Sequence, residues 1–420
     1  YGSWQNWLVA IFTLVVVTGL NHFAKGFLKL ASILIGMIIG SWISAGTVPA
    51  LIYYGLKILS PKIFLPAAFI ICCITSLATG TSWGSAGTVG LALMGIGTSM
   101  GMPAHIIAGA VVSGAFFGDK LSPLSDTTNL ASATAECDIY KHMKAMFYVQ
   151  GPAALIAVVL YAIVGAKYSS GAFDPATIST ITDSLAELFN VGIVVLIPVV
   201  ILLGLSMMKV PALPSMAAGT LSAVVIAVLV QGKDFISVMG TLYSGHKIES
   251  GVAAIDSLLN RGGMAGMMSS IYTMIIALML GGILSELGYM QTIVETLLVK
   301  IKNVGTLITA TIFSGIFFQA TTCNTMVSII LAGNAFKGAF DAKGLARPML
   351  SRCLEEGSTL SAGLIPWNTA GVYMATTLGV ATFAYLPFCF FNLINIALSI
   401  ILSYLGIFVF KAKKEEAAAE

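Results

Sequence analysis

Long apolar runs separated by short polar turns dominate this chain. The runs show none of the alternation of half-buried strands, and most approach the roughly 20 residues that a helix needs to cross a bilayer. Only helices or closed barrels satisfy every backbone polar group in lipid, so the pattern predicts an all-α integral membrane protein. Candidate crossings fall at 4–20, 26–56, 61–78, 103–118, 145–166, 191–208, 210–230, 265–287, 305–319, 345–380 and 384–410, with 4–20 short and 345–380 interrupted. That is about 10 or 11 transmembrane helices. The 43 Gly of the chain suit close helix contact.

Three stretches do not fit a simple crossing. Residues 79–101 and 320–340 are apolar but rich in Gly, Thr and Asn, and each follows a crossing. Both are expected to be re-entrant hairpins, a backbone form tolerated at depth only inside protein or beside water. Residues 231–260 mix charged and apolar positions and predict an amphipathic interfacial helix.

The two ends of the chain repeat this order. A first repeat over 1–168 holds the hairpin 79–101 and a broken helix at 103–131. A second over 265–410 holds the hairpin 320–340 and a broken helix at 345–380. Linking spans and the amphipathic helix occupy 169–264, and 411–420 is a charged tail. The broken helices share a pattern, Gly118-Asp-Lys-Leu121-Ser122 against Gly357-Ser-Thr-Leu360-Ser361, each followed by a proline, Pro123 or Pro366. Matching interrupted helices are the signature of secondary transporters. Lysines place the tail on the cytoplasmic side, and the acidic loop 168–190 is expected outside. The crossings between them come out even in number, which disagrees with that placement and would make the repeats parallel.

Composition narrows the class. Apolar residues make up 57% of the 420 and charged residues 9%, with a net charge of +3 and a mean hydropathy of +0.95. A soluble domain carries about 25% charged residues, a nucleic-acid binder needs a basic field, and a disordered chain lacks this apolar content. The six Cys show no C-x-x-C spacing, so neither a disulfide framework nor a zinc site is indicated. The chain opens on Tyr1, so a cleaved leader is neither indicated nor excluded.

Ionisable residues inside crossings are costly and therefore functional candidates. Asp119, Lys120 and Asp126 sit in GAFFGDKLSPLSDTTNLASA. Asp119, Ser122 and Asp126 would share a helical face, but Pro123 lacks an N–H and clashes with the Asp119 carbonyl. An unwound stretch is expected there, offering bare carbonyls, two carboxylates and the hydroxyls of Ser122, Ser125, Thr127 and Thr128. Such oxygens suit a hard cation of low charge. Lys120 is expected to pair with Asp119, leaving Asp126 to trade a proton for a cation. The competing reading is a charged loop that pins a helix end at the interface.

The second cluster holds Arg352, Glu355 and Glu356, then Ser358, Thr359, Asn368 and Thr369 around Pro366. Arg352 lies one turn from both acids, so one is expected to be paired; a salt-bridged helix end competes evenly here. The hairpin tips, Thr81-Ser82 and Thr321-Thr322-Asn324, would complete each site. Glu286, His105 and His142 are expected at the interface, and Trp83 and Trp367 are read as interface anchors over gating lids. Gly80-Thr81-Ser82-Trp83-Gly84 matches the nucleophile elbow, but that motif needs a preceding strand. Gly95-Ile-Gly97 lacks a βαβ setting, and no Walker A motif supports ATP-driven transport.

Several runs carry a family resemblance: SAGTVPALIYYGLKILSPKIFLP (44–66), SLATGTSWGSAGTVGLALMGIG (76–97), SGAFFGDKLSPLSDTTNLA (113–131), NRGGMAGMM (260–268) and LIPWNTAGVYMA (364–375). The chain resembles the NhaC family of sodium/proton antiporters from about residue 40 to 410, and GDKLSPLSDTT is long and specific. The resemblance implies two inverted repeats with re-entrant hairpins and broken helices, and a homodimer that moves a transport domain against a scaffold in an elevator-like way. It also implies a multi-pass protein of a prokaryotic plasma membrane. Matched motif by motif, it points to Asp119, Ser122, Ser125, Asp126, Thr127 and Thr128, with Thr81 and Ser82 from GTSWG and Asn368 and Thr369 from PWNT. Family members usually carry further N-terminal crossings, and only 4–20 precedes the match here.

The resulting expectation is exchange of sodium for protons by alternating access, with sodium at the Asp126 cluster and no cofactor. The family also includes members resembling a malate–proton/sodium–lactate exchanger. Coupled exchange of small organic acids is therefore the alternative, with Lys120 and Arg352 as its positive groups. A channel is a weaker reading, and an intramembrane hydrolase the weakest.

Overall fold

Apolar runs form helices here as expected, and polar or left-handed residues decide where they stop. The computed structural model describes residues 27–169, 175–208, 210–250, 255–256, 259–260, 262–286, 301 and 303–412. The expected crossing 4–20 and tail residues Lys413 and Lys414 lie outside the described residues. Among the described residues every regular element is helical, apart from one isolated bridge between Leu345 and Lys411.

The expected crossing 26–56 is two helices, α1 (Phe27–Ser44) and α2 (Thr47–Ile58), bent by 73°. Gly46 makes the bend at φ 77, where a Cβ would be strained, and Gln231 Nε2 donates to the Ala45 carbonyl at 3.0 Å. Helix α3 (Pro61–Thr79) ends at Gly80, and α4 (82–99) follows as Ser82–Ser85, a π-turn Ala86–Gly90 and Leu91–Ser99. The stretch 79–101 is thus one helix entered through a tight break, and the expected hairpin does not form within it. Gly90 and Gly97 explain the misreading: they lie against Val111, and against Phe64 and Ile107, so they serve helix packing.

Helix α5 (Ala104–Leu121) is followed after a break by α6 (Asp126–Thr134), and then by the long α7 (Ile139–Ser169). The expected loop 168–190 contains α8 (Pro175–Leu188). Next come α9 (Ile197–Met207) and α10 (Ala212–Leu229). Within the interfacial helix expected over 231–260, the described residues include α11 (Phe235–Ser244), stopped by Gly245 at φ 81, and Ile255, Asp256 and Leu259 are also helical. After α12 (Met268–Glu286) come α13 (Val304–Thr322) and α14 (Thr325–Ala342), parted by Cys323 in a left-handed conformation (φ 54). The second expected hairpin is therefore also a break followed by one helix. Helix α15 (347–362) includes a π-turn at Glu355–Thr359, and is followed by α16 (Thr369–Leu378), α17 (Thr382–Tyr385) and α18 (Phe390–Tyr404).

Two sets of elements match in order and spacing. Helix α13 starts at 304 where α3 starts at 61, α14 at 325 where α4 starts at 82, α15 at 347 where α5 starts at 104, and α16 at 369 where α6 starts at 126. At this constant offset Pro366 answers Pro123, and Gly357 answers Gly114. A Cβ on Gly114 would meet the Phe69 carbonyl of α3 at 2.4 Å; one on Gly357 would meet the Ile312 carbonyl of α13, also at 2.4 Å. The alignment of Gly118 with Gly357 made from sequence is therefore one helical turn out. Both glycines serve close helix contact, which fixes the correct register.

The sets interlock. Ala131 of α6 lies in an apolar core with Leu307, Ile329, Met349 and Leu354 of the second set. Ala370, Val372 and Tyr373 of α16 lie in the core built around α3, α4 and α5. Each helix beyond a break thus packs into the other set.

Surface and interior are inverted relative to a soluble protein. Leu155, Val159 and Ile163 of α7 are exposed, whereas Lys120, Arg352, Glu355 and Glu356 are fully buried. Four helices are long and apolar enough to cross a membrane (Pro61–Thr79, Ile139–Tyr168, Ala265–Ile283 and Val304–Thr322), or up to seven if each bent pair counts as one, among the described residues. This is a multi-pass membrane protein.

Candidate functional site

Pro123 ends α5 as its missing N–H and ring clash require. Ser122 turns extended (φ −92, ψ 126), and Ser125 caps α6 by accepting from the Thr128 N–H. The carbonyls expected to be bare are covered. Thr128 Oγ1 donates to those of Asp119 (3.2 Å) and Lys120 (3.3 Å), and Asn129 Nδ2 to that of Pro123 (2.9 Å). Short polar side chains reaching back to the backbone account for this.

Asp119 is buried in the last turn of α5, 6% exposed. Ser82 Oγ, from the first residue of α4, donates to its Oδ2 at 2.9 Å. Thr81 sits beside it as the cap of α4, accepting from the Gly84 N–H. Ser125 Oγ contacts Thr127 Oγ1 at 3.1 Å. The break at 80–81 lies against the break at 122–125: a Cβ on Gly80 would meet Leu124 at 2.6 Å. The first hairpin tip therefore completes the site, as expected.

Lys120 does not pair with Asp119. Its Nζ lies 2.8 Å from Glu355 Oε2 of the second set, with both side chains at 0% exposure. Neighbouring residues on a helix point to different faces, so Asp119 and Lys120 diverge. Arg352 Nε lies 3.6 Å from Glu356 Oε1, and Arg352 Nη1 donates to the Phe408 carbonyl at 3.0 Å. Ser399 Oγ donates to Glu356 Oε2 at 2.5 Å. Glu355 and Glu356 thus each have a cation within salt-bridge reach, whereas Asp119 has the Ser82 hydroxyl. Among the described residues the buried Asp, Glu, Lys and Arg side chains are these five, and they sum to one negative charge when ionised.

The second expected site divides. Glu355, Glu356, Ser358 and Thr359 belong to the π-turn, where Ser358 Oγ accepts from Ser328 Oγ at 2.8 Å. Asn368 and Thr369 lie at the break and tie it to the end of α13, donating to the carbonyls of Gln319 (3.0 Å) and Cys323 (3.1 Å). Asn324 and Asn368 cap α14 and α16, as Thr81 and Ser125 cap α4 and α6.

Other placements differ from expectation. Asp126 is exposed, in the first turn of α6 and on a different helix from Asp119. His142 is buried rather than interfacial, its Nδ1 2.5 Å from Ser351 Oγ. Trp83 stacks on Tyr373 of α16 with centroids 4.2 Å apart, and the Tyr373 hydroxyl donates to the Trp83 carbonyl. Trp367 is exposed, and its indole N–H reaches the Ala320 carbonyl at 2.7 Å. The Glu286 side chain lies outside the described residues. Helix α3, not a strand, precedes Gly80–Gly84, so the elbow setting is absent. Sequence reasoning placed a crossing at 384–410 but missed the polar side of α18 within it, where Asn392, Asn395, Ser399 and Ser403 make one buried polar stripe at helical spacing. That spacing inside an apolar run was the available signal.

Interrupted, interlocked helices around a charged membrane interior define a secondary transporter. The chain belongs to the Na+/H+ antiporter family, which matches residues 114–407. It is similar to the malate-2H(+)/Na(+)-lactate antiporter of Bacillus subtilis strain 168, 41% identical over 405 residues, covering 96% of this chain and 86% of the relative. It is also similar to the Na(+)/H(+) antiporter NhaC of Alkalihalophilus pseudofirmus, at 38% over 379 residues, 90% of this chain and 82% of the relative. The arginine/ornithine antiporter ArcD of Halobacterium salinarum is 37% identical over 389 residues, 92% of this chain and 80% of the relative.

Proposed function

We infer that this chain exchanges sodium ions for protons across a prokaryotic cell membrane. The carrying observation is the carboxylate of Asp119, buried with the Ser82 hydroxyl as its donor and with no salt bridge among the described residues, while Lys120 and Arg352 are engaged by Glu355 and Glu356. A buried carboxylate without a counter-charge is costly, and either one sodium ion or one proton relieves it. The two cannot do so together at one oxygen pair, and that exclusion is the coupling an exchanger needs. Carboxylate and hydroxyl oxygens are also the ligands a hard cation prefers. Asp126, exposed at the same break, serves as the mouth through which the ion enters.

Alternating access would expose this centre to each side in turn. The matching element boundaries support two repeats; in this reading the repeats are inverted in sense, and one body moves elevator-like against a scaffold within a homodimer. Proteoliposomes given a sodium gradient should show sodium-dependent proton flux, and Asp119→Asn should abolish it. Absence of flux in the unaltered protein would overturn the reading.

A second reading has one specific support, the 41% identity to the malate/lactate relative over 96% of this chain. A transported carboxylate would have to draw Lys120 or Arg352 away from its resident acid. Sodium, lithium, malate and lactate fluxes compared in one preparation separate the two.

A further inference from the structure

Ser82, the donor to Asp119, has few bonds of its own to hold it in place. Gly80 is left-handed (φ 67) and Thr81 extended (φ −148, ψ 123), so two non-helical residues lead into it. The helical start Ser82–Ser85 is a single turn, set off from the rest of α4 by the π-turn Ala86–Gly90. The next residue, Trp83, is gripped from the second set. Its indole stacks on the Tyr373 ring of α16, centroids 4.2 Å apart and planes 17° from parallel. The Tyr373 hydroxyl donates to the Trp83 carbonyl at 2.8 Å. One buried tyrosine thus holds both the side chain and the backbone of the residue beside Ser82. Helix α16 is a firm base for this clasp. Trp367, Asn368 and Thr369 at its start donate to the carbonyls of Ala320, Gln319 and Cys323, so no single contact is decisive. Tyr373 lies one turn beyond Thr369 on the same face. At the constant offset that relates the two sets, Leu130 stands where Tyr373 is and Met326 where Trp83 is. That pair has neither ring nor hydroxyl, so the clasp belongs to the break that faces Asp119.

We propose that Tyr373 is a positioning residue for ion binding: by clasping Trp83 it sets the Ser82 hydroxyl against Asp119. A hydroxyl donates to an ionised carboxylate and, turned about its C–O bond, offers a lone pair to a cation held there. Ser82 Oγ and Asp119 Oδ2, 2.9 Å apart, are placed for both roles. Affinity at such a site depends on how firmly its ligands are held by the groups behind them. Tyr373 supplies that support from the second set, so the fit of the two sets governs how well the first one binds its ion. The inference rests on the sodium reading above and adds to it a residue that touches neither the ion nor Asp119.

The test is sodium titration calorimetry on the full purified chain, run as a cycle of Tyr373→Phe and Ser82→Ala. Ser82→Ala should weaken sodium binding at least about tenfold, since a hydrogen-bonding group on a charged site is lost. Tyr373→Phe keeps the ring stack, loses the hydroxyl, and should weaken binding at least about threefold. The double variant should bind within about twofold of Ser82→Ala alone, because Tyr373 acts through Ser82. Tyr385→Phe is the control for a merely structural role: its hydroxyl donates to the Gly363 carbonyl at 2.6 Å, at the second break. It should lower the melting temperature as Tyr373→Phe does, yet bind sodium within about twofold of the unaltered protein. If Tyr373→Phe does not fold, Trp83→Phe, which shrinks the other half of the stack, takes its place in the cycle with the same expectations. Sodium affinity unchanged in Tyr373→Phe or in Ser82→Ala, losses that multiply in the double variant, or an equal loss in Tyr385→Phe overturns this inference alone, provided the unaltered protein binds sodium. An unaltered protein that binds no sodium overturns the sodium reading and this inference together.

Discussion

The break at 122–125 and the break at 363–368 share one scaffold and carry different chemistry. Each contains a proline (Pro123, Pro366), each ends in a polar cap (Ser125, Asn368), and each leans on the break of the preceding helix pair. At the matching offset, Ala362 stands where Asp119 is, Gly363 where Lys120 is, and Thr369 where Asp126 is. The second break has no acid, and Asn368 and Thr369 spend their polar atoms on the α13 carbonyls. The acids of the second set lie earlier, in the π-turn, and one of them crosses over to neutralise Lys120. Duplicated backbone thus supplies two frames, while a single carboxylate is left uncompensated.

The largest expected effect separates the two breaks. Asp119→Asn should cut sodium-dependent proton flux in proteoliposomes by at least about a hundredfold, because neither ion then has a charge to neutralise. Thr369→Val at the matching frame should stay within about threefold, since it removes only a backbone contact. Equal losses would break the asymmetry.

Next comes Lys120→Met, which strands Glu355 as a buried charge and should cost about 3–5 kcal/mol in stability. Adding Glu355→Gln should recover most of that loss, read by thermal unfolding in detergent. Failure of the second substitution to recover stability would show that the pair is not what joins the sets.

Equivalence of the two scaffolds is tested at Gly114 and Gly357. Substitution by Val at either forces a side chain against the carbonyl of Phe69 or Ile312 and should cost about 1–3 kcal/mol. Similar melting shifts are predicted, and a neutral outcome at one position would deny the register.

Smaller still are the caps. Ser125→Ala and Asn368→Ala should each lose about 1 kcal/mol, yet only Ser125→Ala should also weaken sodium binding.

The smallest effect belongs to the exposed Glu136. Lys337, which hydrogen-bonds and pairs with it, and Arg347 beside it hold its carboxyl below the usual range. Because the folded value is the lower one, any stabilisation is present above the ordinary carboxylate range and fades as pH falls through the lowered value. Glu136→Gln should therefore differ slightly from the unaltered protein in a neutral-pH melt and match it in acid.

These regions were unequally legible in the sequence. Pro123 and Pro366 announce their breaks because the missing N–H and fixed φ act locally, and the apolar runs announce the helices for the same reason. The glycines of 79–101 misled, because composition does not say whether a Gly serves a turn or a close contact. From sequence, Asp126 stood out as the exchanging acid and Asp119 as the partner of Lys120. Only the fold places one inside and the other at the surface. The Lys120–Glu355 pair joins residues far apart in the chain, and no local pattern encodes it. The stripe from Asn392 to Ser403 was readable at helical spacing but carries no charge to draw attention.

Direct sodium titration of Asp119→Asn beside Asp126→Asn bears most closely on this account. The prediction is loss of measurable binding in the first and affinity within about threefold of the unaltered protein in the second. Retained binding in Asp119→Asn, or its loss only in Asp126→Asn, would contradict the placement of the ion on the buried carboxylate.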